Sequence, residues 1–375
     1  MSTIAWILAI GLLGPLLSLP KKYKVPVAVG EILIGVMFGE SGLKKVPLHN
    51  ANLALFASIG FALVMMTVGS HIDILTIVKQ RLLPRALLNQ LIVTTFGVPL
   101  GYLIAWITGI HLAGVFAVLT ISSSAAIVLP IFVSQNRQRE SGIATLLAQV
   151  AVADLLCIIA LPLALGGHKA SRLIEGSVLI TGAGILVYFY YFIAHKTGFA
   201  DRIHAYSKQH RLGIELRISL IFLLSLAALA QHFSISVMVA GFAIGLALAA
   251  NGISHRLDHQ LFAISEGFFS PFFFVWLGAE IDISHSFSDR HLLLLTLGLT
   301  AATLLAHAAT VFAKQPLLIS LSASAQLGVP VAAVTIGQAD GILSATQGGA
   351  IMLAALLTIA VTVVSNTFIP KATVV

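Results

Sequence analysis

The sequence predicts an all-α polytopic membrane protein, and three observations carry that expectation. Of its 375 residues, 58% are hydrophobic and only 9% are Asp, Glu, Lys or Arg, whereas a soluble domain holds about 25% charged residues. The apolar runs are continuous rather than alternating, which is the pattern of spanning helices and not of a barrel. At roughly 20 apolar residues per crossing, the length allows about twelve to fourteen spans. This composition excludes a cytosolic globular enzyme, a disordered protein and a nucleic-acid binder. The one cysteine, Cys157, removes any disulfide framework and any Cys-based metal site.

Hydropathy divides the chain into thirteen apolar segments: 3–19, 26–38, 51–69, 86–107, 112–134, 141–166, 173–193, 214–231, 235–251, 259–278, 290–313, 316–340 and 345–369. The first lacks a basic region before it and is followed by Lys21, Lys22 and Lys24, so it reads as a span and not a signal peptide. The polar stretch from His195 to Arg217 reads as a connector, and no soluble domain is left over.

The net charge of +7 follows the loops. With the N-terminus outside, the inner side holds Lys21, Lys22, Lys24, Lys79, Arg81, Arg85, Arg137, Arg139, the basic residues of 196–217, Arg256 and Lys371. The outer side holds only Lys44, Lys45, Lys169, Arg172 and Arg290. That asymmetry places the C-terminus in the cytoplasm.

Thirteen spans divide into two six-span repeats, 1–172 and 194–375, around a linker helix at 173–193, with the second repeat inverted. The interrupted spans fall at matching places. The fifth carries Ser122-Ser123-Ser124 and then Pro130; the twelfth runs through Gly328-Val329-Pro330 to Gln338-Ala339-Asp340-Gly341. Interrupted segments at corresponding positions point to a transporter's binding site.

Asp154 stands in the middle of the apolar run Leu146–Cys157. An acid at the bilayer centre is expensive unless neutralised, paired or wetted. It reads as an ion or proton carrier, or else as a buried acid that holds two helices together. Thr120, Ser122, Ser123 and Ser124 offer hydroxyls, and a helix break frees backbone carbonyls. Both are hard oxygen ligands for a small monovalent cation, and small residues also serve close helix packing. Lys314 is either a cation near the site or a snorkelling lysine at the interface. Its neighbour seven residues earlier, His307, reads as a satisfied core histidine. Asp340, beside Gln338, either neutralises the N-terminus of a half-helix or is a loop acid. Glu31 reads as structural. No His-Glu-x-x-His helix, Gly-x-Gly-Asp context, Gly-x-Ser-Gly site or Walker motif occurs, which argues against an intramembrane enzyme or a primary pump.

Several segments, in order, resemble the sodium/hydrogen exchanger domain family. More narrowly they resemble its branch of bacterial Na+/H+ antiporters and Kef-type potassium efflux systems. They are Pro26–Gly39, Ser122–Pro130, Ala151–Leu156, Ser270–Gly278 and Val311–Lys314. The resemblance implies a thirteen-span inverted-repeat homodimer in a bacterial inner membrane, with a dimerisation domain and a core domain containing crossed discontinuous helices. It implies that Asp154 takes up either H+ or the cation, that Ser123 and Ser124 lie at the crossed helices, and that Lys314 lies opposite the carboxylate. Three departures stand out. Ala153 replaces the acid or amide often found before the carboxylate. Gln338-Ala339-Asp340 stands in place of a basic-Gly-Glu run. The chain ends at Val375, without the nucleotide-binding regulatory domain of Kef-type systems, which argues against nucleotide gating unless a separate subunit supplies it or the sequence is truncated. The expected activity is secondary exchange of Na+ or K+ for H+ without a cofactor and without net charge movement, the alternative being a sodium-coupled solute symporter.

Overall fold

The structure, a computed structural model, describes residues 2–17, 27–48, 50–72, 81–133, 135, 137, 140–165, 170–210, 212–233, 235–281 and 289–370. Among these residues it contains helices and no strands. Lys21, Lys22, Lys24, Pro26, Lys79, Arg139, Lys169, Arg211 and Lys371 lie outside the described residues.

Among the described residues, eight helical stretches are long and apolar enough to cross a membrane: Ala51–Ser70, Leu83–Thr108, Ala113–Phe132, Gly142–Leu165, Ile214–His232, Arg256–Glu280, Arg290–Ala313 and Ala345–Phe368. Shorter apolar helices occupy Thr3–Leu16, Val27–Phe38, Thr181–Ala194, Val237–Asn251 and Gly328–Gln338. Each apolar segment read from the sequence therefore contains helix, with 112–134 and 316–340 each divided into two shorter helices. Inside lipid the backbone must satisfy its own polar groups, and only a helix does so within one segment. The connector after His195 differs from the expectation in being partly helical, at Phe199–His210.

Where helices start, polar side chains close the free N–H groups. Asn50 accepts from Asn52 and Leu53 N–H ahead of Ala51–Ser70. Ser344 and Gln347 form a reciprocal capping box at the start of Ala345–Phe368.

The helices gather into two groups. In the first, α1 (Ser2–Gly11), α2 (Val27–Phe38) and α3 (Ala51–Ser70) pack on α4 (Ser270–Glu280); Val237–Asn251 packs on α3 and on Ile214–His232. In the second, Leu83–Thr108 packs on Ala113–Ile121, Ser141–Leu165 and Arg290–Ala308, and Ala345–Phe368 packs on Arg290–Ala308, Leu317–Ser322 and Gly328–Ala339. The helix Ala170–Lys196 touches both groups, through Val237–Asn251 and Ser141–Leu165.

Glycine makes the first group close-packed. A Cβ on Gly278 would overlap the Ile32 carbonyl and lie 2.9 Å from Gly35 Cα; a Cβ on Gly245 would overlap the Met66 carbonyl and lie 2.8 Å from Gly69 Cα. Backbones that approach this closely gain dispersion and leave no room for a side chain, the usual solution where lipid offers no hydrophobic drive. Glu31, 2% exposed, is tied within this group by Ser270 Oγ, which donates to its Oε2 at 3.0 Å. Its structural reading fits that contact.

Gly278→Ala should lower stability by about 1–3 kcal/mol, since helix backbone must move to admit the methyl group. Gly182→Ala meets nothing within 4 Å and should leave the unfolding midpoint in detergent unchanged. Equal midpoints for the two variants would contradict the packing account.

Candidate ion site

Two spans are interrupted, and their interruptions touch. The first runs as Ala113–Ile121, then Ser122–Ser124 without helix, then Ala125–Val133. The second runs as Leu317–Ser322, then an irregular stretch to Leu327, then Gly328–Ala339. Ser123 Oγ, in the first break, donates to Ala323 O in the second at 2.6 Å.

The second break is not where the breaker residues suggested. It precedes Gly328, and Pro330 sits in the first turn of the following half-helix. Proline is tolerated there because the first-turn N–H groups have no intrahelical acceptor anyway. Pro130 likewise lies inside its half-helix, and the first break falls on the serines.

A broken helix leaves carbonyls on one side and N–H groups on the other without helical partners. Side chains meet the carbonyls here. Gln326 Nε2 donates to Leu119 O, reaches Ser122 O at 3.5 Å and bonds Thr303 Oγ1 at 3.1 Å. Gln90 Nε2 donates to Ile121 O at 3.1 Å. Thr120 Oγ1 donates within 2.8 Å of Gly97 O and 2.9 Å of Ala117 O, so it ties its half-helix to Leu83–Thr108 and is not presented at the break.

The N–H side is met by Asp154. The Ala125 N–H donates to Asp154 Oδ2 at 3.0 Å. This places the carboxylate of Ser141–Leu165 on the positive end of the half-helix Ala125–Val133, where a negative charge is favoured. Asp154 is 8% exposed, Ser123 1% and Ser124 2%. The Asp154 carboxylate and the Ser122–Ser124 break thus lie together in the buried interior, joined through the Ala125 N–H. Among the described residues no group of three or more His, Cys, Asp or Glu side chains is placed to hold a metal.

The remaining sequence candidates sit elsewhere. Lys314 is exposed, closes the 3-10 turn Ala309–Ala313 in a left-handed conformation (φ 63), and makes no ion pair with Asp154. Asp340 caps the C-terminal end of Gly328–Ala339, so it does not neutralise a half-helix N-terminus. Asp340 and Gln338 instead line two cavities between the helix groups. One, about 300 Å³, is bounded by Phe61, Gln231, Phe273, Trp276, Thr335 and Asp340. The other, about 430 Å³, is bounded by Glu40, Glu280, Thr335, Gln338 and Thr346. Gln326 and Gln90 were missed in the sequence. A glutamine within an apolar span is the same signal as Asp154, only uncharged.

Fold and site together define a multi-pass membrane protein with a buried acid at the meeting point of two interrupted helices. The family model for the transmembrane sodium/hydrogen exchanger domain matches residues 8–371. The chain belongs to the sodium/hydrogen exchanger family. It is 26% identical to the putative Na(+)/H(+) antiporter YjbQ of Bacillus subtilis, over 95% of this chain and 61% of that protein. It is 25% identical to the Na(+)/H(+) antiporter of Enterococcus hirae, over 75% of this chain and 73% of that protein. The chain thus spans about three-fifths of the length of the first of these relatives. The fold is similar to that of the sodium proton antiporter MjNhaP1 from Methanocaldococcus jannaschii, with a TM-score of 0.65 and 17% identity, covering 98% of this chain and 96% of that one.

Gln326→Leu should leave the Leu119 and Ser122 carbonyls without this donor and cost about 1–3 kcal/mol. Thermal unfolding of the purified protein reads this directly, and an unchanged midpoint would show that the glutamine does not hold the break together.

Proposed function

We propose that the protein is a secondary active monovalent cation:proton antiporter in which Asp154 binds either H+ or the cation, Na+ being favoured over K+. The observation that carries this reading is the Asp154 carboxylate at the N-terminus of a half-helix, beside two touching breaks. The names of the relatives support the choice of Na+.

The exchange follows from electrostatics. A bare carboxylate is expensive to carry through a low-dielectric barrier. Protonated Asp154 is neutral, and Asp154 with Na+ is neutral as a pair. The loaded states therefore cross and the empty charged state does not, which couples the two fluxes without any covalent step. Ser123, Ser124 and the freed carbonyls complete the cation's shell in this reading.

The packing of the helices supports two inverted repeats, 1–172 and 194–375, on either side of a linker helix at 173–193. Val27–Phe38 meets Ser270–Glu280 through Gly35 and Gly278; Val237–Asn251 meets Ala51–Ser70 through Gly245 and Gly69. Exchanging the second span with the ninth and the third with the tenth turns one contact into the other. The two helix groups then act as the core and the dimerisation domain of a homodimer, and the cavities between them, lined by Glu40, Glu280 and Asp340, as the outer approach to the site. The loop charges support a bacterial inner-membrane orientation with the N-terminus outside and the C-terminus cytoplasmic.

Asp154→Asn should abolish Na+-driven proton movement in proteoliposomes carrying a pH dye, because the amide neither titrates nor balances a cation. The variant should keep the wild-type elution and melting behaviour. Exchange at normal rates in Asp154→Asn, or solute uptake by the wild type with no proton movement, would sink the reading.

The exchange is one H+ per monovalent cation and carries no net charge, since Ala153 adds no second acid beside the carrier. A translocated extra charge would couple to about 2.3 kcal/mol per 100 mV. Rates in proteoliposomes should therefore stay the same under an imposed potassium-diffusion potential, and a sustained current on a supported membrane would refute electroneutrality.

A further inference from the structure

His307 was read from the sequence as a satisfied core histidine, and half of it is. The ring is 0% exposed, and Nδ1 lies 2.9 Å from Thr303 O. A carbonyl only accepts, so Nδ1 carries the hydrogen. Nε2 is then a lone pair in the neutral ring, and it has no hydrogen-bond partner among the described residues. A buried imidazole nitrogen left bare is costly, whether it accepts or, once protonated, donates.

Its surroundings belong to the candidate site. Thr303, whose carbonyl holds Nδ1, shares its hydroxyl with Gln326, and Gln326 reaches the Ser122 and Leu119 carbonyls of the first break. A chain of polar groups starts at the His307 backbone carbonyl. Thr310 Oγ1 lies 2.8 Å from His307 O and 2.7 Å from Ser320 Oγ. Beyond it Gln315 bonds Asn89 and leaves its own Nε2 unpartnered, next to the exposed turn at Lys314.

Fixed charge is sparse on the helices packed against the span that carries His307. Ala113–Ile121, Leu317–Ser322 and Ala345–Phe368, all packed on Arg290–Ala308, contain no ionisable side chain. Leu83–Thr108 contributes Arg85 and Tyr102. Gly97 of that helix faces Ala306, which puts Arg85 about 18 Å away along the axis, and Tyr102 is 55% exposed. On its own span the charged or titratable groups are Arg290, His291 and Lys314, at the two ends.

We propose that His307 is a second proton-binding residue of the transport core, taking its proton at Nε2 and opposing cation binding at Asp154 when charged. This inference rests on the antiporter reading. The proton arrives and leaves along the Thr310–Ser320–Gln315 path, through water donors that meet Nε2. An imidazolium linked through Thr303 and Gln326 to the carbonyls of the break sets a positive charge against the incoming cation. Cation binding expels that proton to the side from which it came. The proton also leaves His307 by the same path before the Asp154-protonated core crosses, so it alters affinity without joining the exchanged ions, and the one-for-one exchange of neutral loaded states stands. His307 acts through the break and is a positioning residue, not a ligand: a neutral imidazole nitrogen is a poor partner for an alkali cation.

The test is the pH dependence of the half-saturating Na+ concentration in proteoliposomes. One competing proton raises it about tenfold per pH unit on the acid limb, and two coupled protons about a hundredfold. The wild type should approach the steeper slope. His307→Gln, which keeps a donor for Thr303 O, should fall to the shallower slope while retaining its maximal rate at alkaline pH. A wild-type slope already near tenfold overturns the proposal, and so does a His307→Gln slope as steep as the wild type. The wild-type slope decides the matter even if the variant does not fold. Exchange with a tenfold slope defeats only this inference; no Na+-driven proton movement by the wild type defeats the antiporter reading along with it.

Discussion

The bond from the Ala125 N–H to Asp154 is the interaction on which the arrangement depends. A helix interrupted inside a membrane has polar groups that water cannot reach, and each unsatisfied one costs several kcal/mol. The break at Ser122–Ser124 is affordable because each side finds partners. Gln90 and Gln326 take the carbonyls, Ser123 reaches across to Ala323, and a carboxylate takes the N–H end. The same requirement explains why an acid stands in an apolar helix and why it stands at that depth.

The two helix groups are held by different means. The first relies on glycine faces, where backbone meets backbone at Gly35, Gly278, Gly69 and Gly245. That surface is rigid, because no side chain can change rotamer there. The second relies on buried amides and hydroxyls around two irregular stretches. It contains unpartnered polar atoms at Gln90, Gln149, His307 and Gln315, each on a residue 8% exposed or less. The two groups thus differ in what holds them, bare backbone contact in one and buried polar groups in the other. Loops reinforce the second group: Arg137 forms a paired contact with Glu140 and donates to the Ile369 and Pro370 carbonyls. The guanidinium holds the Glu140 carboxyl below its usual range. The loop after the first interrupted span is thereby tied to the end of the last helix.

The site shows how far a pattern of breakers can be trusted. Serines in a row marked the first break correctly, since hydroxyls that bond local carbonyls compete with the helix. Glycine and proline misplaced the second. Gly328 and Pro330 begin a half-helix instead of interrupting one, because proline at a first turn gives up no hydrogen bond. Lys314, at the end of an apolar run, reads in the sequence as a cation near the site or a snorkelling lysine, and the family resemblance puts it opposite the carboxylate. A left-handed turn at that residue leaves it exposed, whereas His307 on the same span is buried.

The sequence by itself determined the helical membrane class, the thirteen apolar segments, the first break and Asp154 as the costly acid. These follow from local quantities: hydropathy over roughly 20 residues, hydroxyl clusters, and a charge in an apolar run. Tertiary structure decided what the carboxylate binds, where the second break falls, that Gln326 spans the first break's carbonyls, and that His307 is left with a bare nitrogen. Each of these depends on groups more than a hundred residues apart or on different helices, as with Ser123 and Ala323. Apolar helices look alike in sequence on every face, so which faces meet is settled only when all their backbones and buried polar atoms must be satisfied together.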